Sequence, residues 1–362
     1  MQAILKTLIQ TPSSFTPSLA HDATNLIMTG QATASQIGAF LIAIKLTNLE
    51  TNPAIVAAIA NAMRDAALRI AQDDNWNVCD VVGTGGDGQD TFNVSTATGI
   101  VCAGAGCRVA KHGNRAASSK CGSADVLEEM GASLLSITPE SVPSLVKEDG
   151  GFCFLFAQAF HPAMKHVAAA RKEIGVRTIF NLLGPLSNPA RPKRVVVGVA
   201  SQDFGKAMAE ALALTGVERA WVVNGSVDGT NTGGLDELSP AGPTHVWSLE
   251  NNKITEFTVT PLDFGLEIHP LSSVVGGDRV HNGSIMKDLL AGRLPEGNPV
   301  LDFVLLNSAA LLFVDGKAGS YKEGVEMARR SILEGKAKKA LDAFVSATEK
   351  LKEDALAEAV SN

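Results

Sequence analysis

Val78-Cys79-Asp80-Val81-Val82 runs without a break into Gly83-Thr84-Gly85-Gly86-Asp87-Gly88, a short β-branched strand ending in a dense glycine cluster. Glycine costs backbone entropy on folding and is kept where the chain needs φ > 0 or a close approach to a ligand. The 34 glycines in 362 residues find a first explanation here. Working outward, the alternation recurs: Cys107–Ala110, Phe152–Phe156, Arg194–Val199 and Ala220–Val223 read as further strands. Helices are expected near 95–105, 123–130, 139–149, 162–174 and 203–215. Short strands separated by helices specify an α/β fold with a mainly parallel central sheet.

Upstream of Asp73-Asp74-Asn75 the pattern is helical only. Thr33 with Gln36 forms a capping-box pair ahead of residues 37–44, and Asn52-Pro53 supplies a cap and a first-turn proline for a helix over 54–70. We therefore expect a small all-helical domain over 1–75 and a larger α/β domain over 76–362. Within the latter, Thr244–Leu249 and Ile254–Thr260 flank Glu250-Asn251-Asn252-Lys253 as a hairpin, and closing helices run from about 299 to 352. Gly184-Pro185-Leu186-Ser187-Asn188-Pro189 is the expected hinge or linker.

Composition excludes whole classes. Apolar residues make up 45% and charged residues 19%, so a large core can form and disorder is not expected. The net charge of −7, with no long basic run, argues against a nucleic-acid surface. The five cysteines (Cys79, Cys102, Cys107, Cys121, Cys153) show no C-x-x-C spacing, which fits reduced thiols and a cytoplasmic location. No signal peptide or membrane span is expected.

The glycine cluster satisfies G-x-G-x-x-G, yet the carboxylate a dinucleotide site needs about 20 residues on is missing, since 103–109 read Ala-Gly-Ala-Gly-Cys-Arg-Val. A P-loop motif is absent too. The next segment points to phosphate instead: Thr91, Asn93, Ser95 and Thr96 place hydroxyls and an amide where a loop becomes a helix, whose N-terminus attracts anions. Capping by Asn93 or Ser95 is compatible with that role. After the next strand, residues 111–125 carry three cations (Lys111, Arg115, Lys120) and three serines (Ser118, Ser119, Ser123), a second anion cradle or a solvated loop. Asp236-Glu237, in a glycine-bearing turn, suits Mg²⁺, which takes a few carboxylates together with substrate phosphate oxygens. The stretch His161–Glu173 is a strongly cationic helix. In it Arg171 can pair with a carboxylate or phosphate, and His161 can be a cap or a packed side chain.

Five ordered motifs, Gly83-Thr84-Gly85-Gly86-Asp87, Asn93-Val94-Ser95-Thr96, Lys111-His112-Gly113-Asn114-Arg115, His161-Pro162-Ala163-Met164 and Asp236-Glu237, with Arg177–Pro185 beside them, resemble the anthranilate phosphoribosyltransferase family. That family is nucleoside-phosphorylase-like in architecture. The resemblance implies transfer of the 5-phosphoribosyl group from phosphoribosyl pyrophosphate to the amine of anthranilate with Mg²⁺, in tryptophan biosynthesis. It implies a helical domain joined again by part of about 165–192, a hinged cleft and a homodimer. By position, Gly83, Gly86, Asp87, Thr91, Asn93, Ser95, Thr96, Lys111, Gly113, Asn114, Ser118, Ser119 and Ser123 would bind phosphoribosyl pyrophosphate. Gly83, Asn114, Arg171, His112, His161 and Pro185 would meet anthranilate, and Ser95, Asp236 and Glu237 would ligate the metal. Lys111, Asn114 and Arg171 would carry the catalysis. A pyrimidine nucleoside phosphorylase is the rival within the architecture; Asn93–Thr96 and the acidic pair argue against it. A nucleic-acid-binding fold relative is opposed by the charge.

Overall fold

A computed structural model describes residues 1–73, 75–116, 119–146, 150–230 and 233–361. Four helices come first: α1 (Gln2–Gln10), α2 (Pro17–Met28), α3 (Ala34–Leu46) and α4 (Pro53–Asp65). The expected capping box at Thr33 is present, with Gln36 returning the hydrogen bond to the Thr33 N–H, and Asn52 caps α4 through Ala54 and Ile55 N–H. α4 stops at Asp65 rather than at residue 70. The chain is drawn away beyond it, where Leu68 N–H donates to Phe160 O and Ile70 is buried in the α/β core.

The remainder alternates: β1 (Cys79–Gly83), α5 (Val94–Gly104), β2 (Arg108–Gly113), α6 (Ser123–Glu129), α7 (Val142–Leu145), β3 (Gly151–Phe156), α8 (Ala157–Phe160), α9 (Lys165–Ile174), β4 (Arg194–Gly198), α10 (Gly205–Leu214), β5 (Arg219–Ser226), β6 (Gly233–Leu235), β7 (Thr244–Glu250), β8 (Lys253–Val259), α11 (Arg279–Leu290), α12 (Pro299–Asp315), α13 (Tyr321–Leu333) and α14 (Lys336–Ser361). The sheet order is β3-β2-β1-β4-β5-β7-β8, with β6 on β5. β1 to β5 are parallel, and β6, β7 and β8 join antiparallel. The β7–β8 hairpin turns on Asn251 and Asn252, both at positive φ (51° and 58°), the tight two-residue geometry that Asn tolerates.

Three expectations are corrected. The helix foreseen over 139–149 is only the single turn α7 among its described residues, because Pro143 removes a donor and Gly150 (φ 105°) breaks the chain direction. The helix α11 was not expected; its first half is largely polar, and its buried apolar residues, Met286, Leu289 and Leu290, come only in its second half. The closing helices continue to Ser361.

Each face of the sheet has its own core. One contains α5, α12, α13 and α14 with β3 and the far side of β1; the other gathers α1 to α4, residues 167–186, α10, and Val82, Val195, Val197 and Val199 of the strands. β1 lies between β2 and β4, so the strand order reverses at its carboxyl end, where α/β sheets open a ligand crevice. Gly83 stands at that point.

Candidate active site

Gly83, the last residue of β1, faces the carboxyl of Asp236: a Cβ there would lie 2.2 Å from Asp236 Oδ2. Gly86 is bound more tightly still. It has φ 76°, and an added Cβ would fall on the Arg177 guanidinium, which donates at 2.8 Å to both Gly85 O and Gly86 O. Gly85 N–H donates to Asp236 Oδ2 at 2.6 Å. The glycine loop is thus held from two sides, by an arginine after α9 and by the acidic turn after β6. It borders a cleft lined by Thr84, Gly86, Arg177, Thr178 and Asn181.

Asn93 occupies the N-cap position of α5 without capping it. Its Nδ2 donates to Cys121 O (3.0 Å) and its Oδ1 accepts from Asn282 Nδ2 (2.8 Å), so it ties the two phosphate-type loops and α11 together. Thr91 bridges Val275 in antiparallel fashion, and Thr96 is fully buried with its hydroxyl unpartnered among the described residues. Ser95, in the first turn of α5, hydrogen-bonds Glu237.

The second cradle differs from the expectation of three available cations. Arg115 forms two 2.7 Å bonds with Glu128 and lies over the Phe156 ring, so its charge is already matched. Lys111 is 1% exposed, its Nζ donating to Val81 O at 2.5 Å. Burial lowers its pKa while Asp80, Glu237 and Asp236 oppose that shift. Lys120 remains exposed beside Ser119. Asp125 accepts from Ala116 and Gly122 N–H, and Asn114 Oδ1 accepts from Arg115 N–H, which folds the loop onto Ser123 at the start of α6. Gly113 closes β2 against Phe154. Ser118 lies outside the described residues.

Strand alternation separates two roles along β2. Lys111 points to the side of α5 and the acidic turn, whereas His112 points the opposite way. There its Nδ1 meets Gly184 O (3.2 Å) and its ring lies 5.0 Å from that of His161. His161 is thus a packed side chain and not a cap. Pro185, in the next turn, is buried with them. The Nε2 atoms of both histidines are buried without a partner among the described residues. Arg171, half-buried in α9, lies over the Phe180 ring; burial lowers its pKa, and among the described residues no carboxylate pairs with it.

Burial pushes His112 down to about 3, helped by His161, and His161 down to about 4. Both values lie below the unfolded value of about 6.5, so the two rings are neutral at pH 7, and that stability is lost as pH falls from 6.5 toward 4. At pH 5 each accounts for a loss of about 2 kcal/mol. Thermal unfolding at pH 7 and pH 5 should therefore show a steep acid loss that flattens in His112→Gln/His161→Gln. Equal slopes in the two proteins would refute the assignment.

The acidic turn is braced from α12. Asn307 donates to Leu238 O (3.2 Å) and accepts from Leu238 N–H (3.1 Å), and Ser239 bonds Ser226 O and Thr244. Asp236 is pushed up to about 7, by burial first and then by the charge of Asp87; Glu237 is raised well above the carboxylate range by burial and by Asp236, with the field of Lys111 opposing. Asp87 meets Asp236 and Ser95 meets Glu237, while the ligand atoms of the three carboxyls do not all come within 4.8 Å of one another. Such an all-oxygen set under mutual repulsion fits a hard divalent cation.

Asp80, Arg177, Asn188, Asn282 and Asn307 are supporting residues to which sequence reasoning gave no role. The stretch 184–189, expected as a hinge or linker, is firmly anchored: Asn188 Nδ2 donates to Asp80 Oδ2 and to Ala110 O, both at 2.8 Å.

A glycosyl transferase is the class that this fold and site define. Residues 75–338 match the model described as "Glycosyl transferase family, a/b domain", and residues 2–67 the "Glycosyl transferase family, helical bundle domain". The anthranilate phosphoribosyltransferase of Parvibaculum lavamentivorans is 46% identical over 329 residues, covering 91% of this chain and 92% of that protein; that of Schizosaccharomyces pombe is 43% identical over 320, covering 88% of each. The crystal structure of the Thermus thermophilus enzyme superposes with a TM-score of 0.86 at 38% identity, covering 96% of this chain and 100% of that one. The Saccharomyces cerevisiae enzyme in complex with PRPP and Mg gives 0.87 at 32%, covering 96% and 98%. The chain belongs to the anthranilate phosphoribosyltransferase family.

Proposed function

We infer that this chain transfers the 5-phosphoribosyl group from phosphoribosyl pyrophosphate to the amine of anthranilate, releasing pyrophosphate, as a step of tryptophan biosynthesis. The observation that carries this reading is the convergence, at the carboxyl end of β1, of the glycine loop, the N-terminus of α5 and the Asp236-Glu237 turn. Gly83, Gly86, Asp87, Thr91, Asn93, Ser95, Thr96, Gly113, Asn114, Ser119 and Ser123 bind the phosphoribosyl donor, its phosphates meeting loop and helix N–H groups. Asp236, Glu237 and Ser95 hold Mg²⁺, which when bound supplies positive charge to the pyrophosphate oxygens. Lys111 balances the buried carboxylates and adds to the positive potential felt by the leaving group.

On the other side of Gly83, anthranilate meets Asn114 and Arg171, with His112, His161 and Pro185 as walls. Arg171 takes the carboxylate. Neutral imidazoles suit a pocket for an aromatic ring, and an aromatic amine is mostly unprotonated at neutral pH. Its lone pair can attack C1 as the bond to pyrophosphate breaks, the N–H proton of the new secondary amine then passing to solvent or to the departing pyrophosphate. Positioning is therefore the chief contribution of the protein, worth up to about 7–11 kcal/mol in favourable systems. We further propose that residues 1–75, with part of about 165–192, act as the helical domain across the cleft. Ile9 (57% exposed) in α1 and Leu46 (81%) at the end of α3 supply apolar surface for a homodimer through that domain. No helix among the described residues is long and apolar enough to cross a membrane, and five unpaired cysteines support a cytoplasmic location.

The decisive assay mixes the chain with anthranilate, phosphoribosyl pyrophosphate and Mg²⁺ and follows anthranilate fluorescence. Fluorescence should fall only in the complete mixture. A constant signal there would overturn the reading.

A further inference from the structure

Three of the five cysteines meet at one point, at the opposite end of β1 from the glycine loop. Cys79 opens β1, Cys102 lies in α5, Cys107 precedes β2, and Asp315 closes α12. The ligand atoms of Cys79, Cys107 and Asp315 all lie within 4.8 Å of one another, and Cys102, whose thiol donates to Ser308 O at 3.5 Å, neighbours Cys107. All three cysteines are fully buried and unpaired by disulfides, and Asp315 is 7% exposed.

A buried cysteine ordinarily serves as a small apolar side chain. That role does not explain why a carboxylate is brought among three thiols, which are weak donors, when its cationic partner Arg194 stands at 3.6 Å, beyond hydrogen-bond length. The surroundings complete a charge pattern. Arg194 lies 3.6 Å from Asp315 Oδ1, and Lys317 exerts a positive field on Cys107. We propose that Cys79, Cys102, Cys107 and Asp315 form a structural site for one Zn²⁺-like cation. Three thiolates and a carboxylate carry four negative charges; the cation supplies two positive charges, and Arg194 and Lys317 the other two.

Zinc takes sulfur and carboxylate oxygen in a closed tetrahedral set. With Zn–S near 2.3 Å, ligand sulfurs stand roughly 3.8 Å apart, so the separations of up to 4.8 Å among Cys79, Cys107 and Asp315 close by about 1 Å. Cys102, whose thiol donates to Ser308 O at 3.5 Å, would turn from that carbonyl to become the fourth ligand. Each coordinating thiol gives up its proton to solvent as the metal–sulfur bond forms. Four protein ligands leave no open position for substrate, so the role is to fasten the amino-terminal edge of the sheet to α5 and α12. Cys79 is four residues from Gly83, about 13 Å along an extended strand, and thiolates are poor ligands for Mg²⁺. The two metal sites are therefore independent in place and in chemistry.

The test uses the full chain in Mg²⁺-containing buffer, with Co²⁺ and Zn²⁺ as probes. We expect one equivalent of Co²⁺ to produce thiolate-to-cobalt charge-transfer absorption, Zn²⁺ to displace it, and Zn²⁺ to raise the melting temperature. Cys107→Ala and Asp315→Asn should lose or weaken the band and the thermal shift; Cys153→Ala, whose thiol lies elsewhere in β3, should retain both. Asp315→Asn preserves shape should Cys107→Ala fail to fold. A folded wild-type chain that shows no charge-transfer band and no bound zinc by elemental analysis would overturn the proposal. So would a band that persists undiminished in both site variants, or a native disulfide among these cysteines.

Discussion

Asp236→Ala/Glu237→Ala should lower kcat/KM by about three orders of magnitude and abolish stimulation by Mg²⁺, as expected when charge stabilisation of a leaving group is removed. Stability should move the other way. Both carboxyls are buried and held above their ordinary values. A carboxyl whose folded value is raised contributes stability that is present below the unfolded value and lost as pH rises through the folded one. At neutral pH the acidic pair is thus a cost to the unliganded fold, offset only in part by Gly85 N–H and Ser95. Thermal melting in the absence of Mg²⁺ should therefore show the double variant at least as stable as the parent, which separates lost metal binding from misfolding. Undiminished, Mg²⁺-stimulated turnover would refute the assignment.

Arg171→Ala should reduce kcat/KM for anthranilate by about 30- to 150-fold, the value of a charge-assisted hydrogen bond of about 2–3 kcal/mol. The guanidinium already bears the cost of partial burial and has no carboxylate among the described residues to offset it. An incoming carboxylate relieves that penalty. Binding of phosphoribosyl pyrophosphate, measured separately by calorimetry, should be unchanged. Arg171→Lys should recover only part of the loss, because an ammonium lacks the planar fork that meets two carboxylate oxygens. Unaltered kcat/KM for anthranilate in Arg171→Ala would remove the residue from the substrate site.

Much of the fold was legible because parallel strands buried on both faces must be short apolar runs, as at Arg194-Val195-Val196-Val197-Gly198. The acidic pair and the glycine loop were legible because their chemistry is local to a few residues. Arg177 was not. Its role depends on reaching Gly85 and Gly86 across more than 90 positions, and nothing in an isolated arginine announces such a carbonyl clamp. Asn307 in α12 and Asn188 were hidden for the same reason, since a buried amide reads as a polar interruption until its partners are known. Arg115 erred in the opposite direction: it looked free in the loop because Glu128, which neutralises it, lies a helix turn beyond the motif.

The apolar core on one face of the sheet is shared, α4 packing on α10 while residues of both join Val82, Val195 and Val197 in one cluster. The amino-terminal helices therefore pack on one another and continue their interior into the core on that face of the sheet. Cutting the chain after residue 75 would strip a layer from the sheet and leave two fragments with greasy, mismatched faces. Any motion that widened the cleft would have to keep the α4–α10 seam closed or expose that shared core to water.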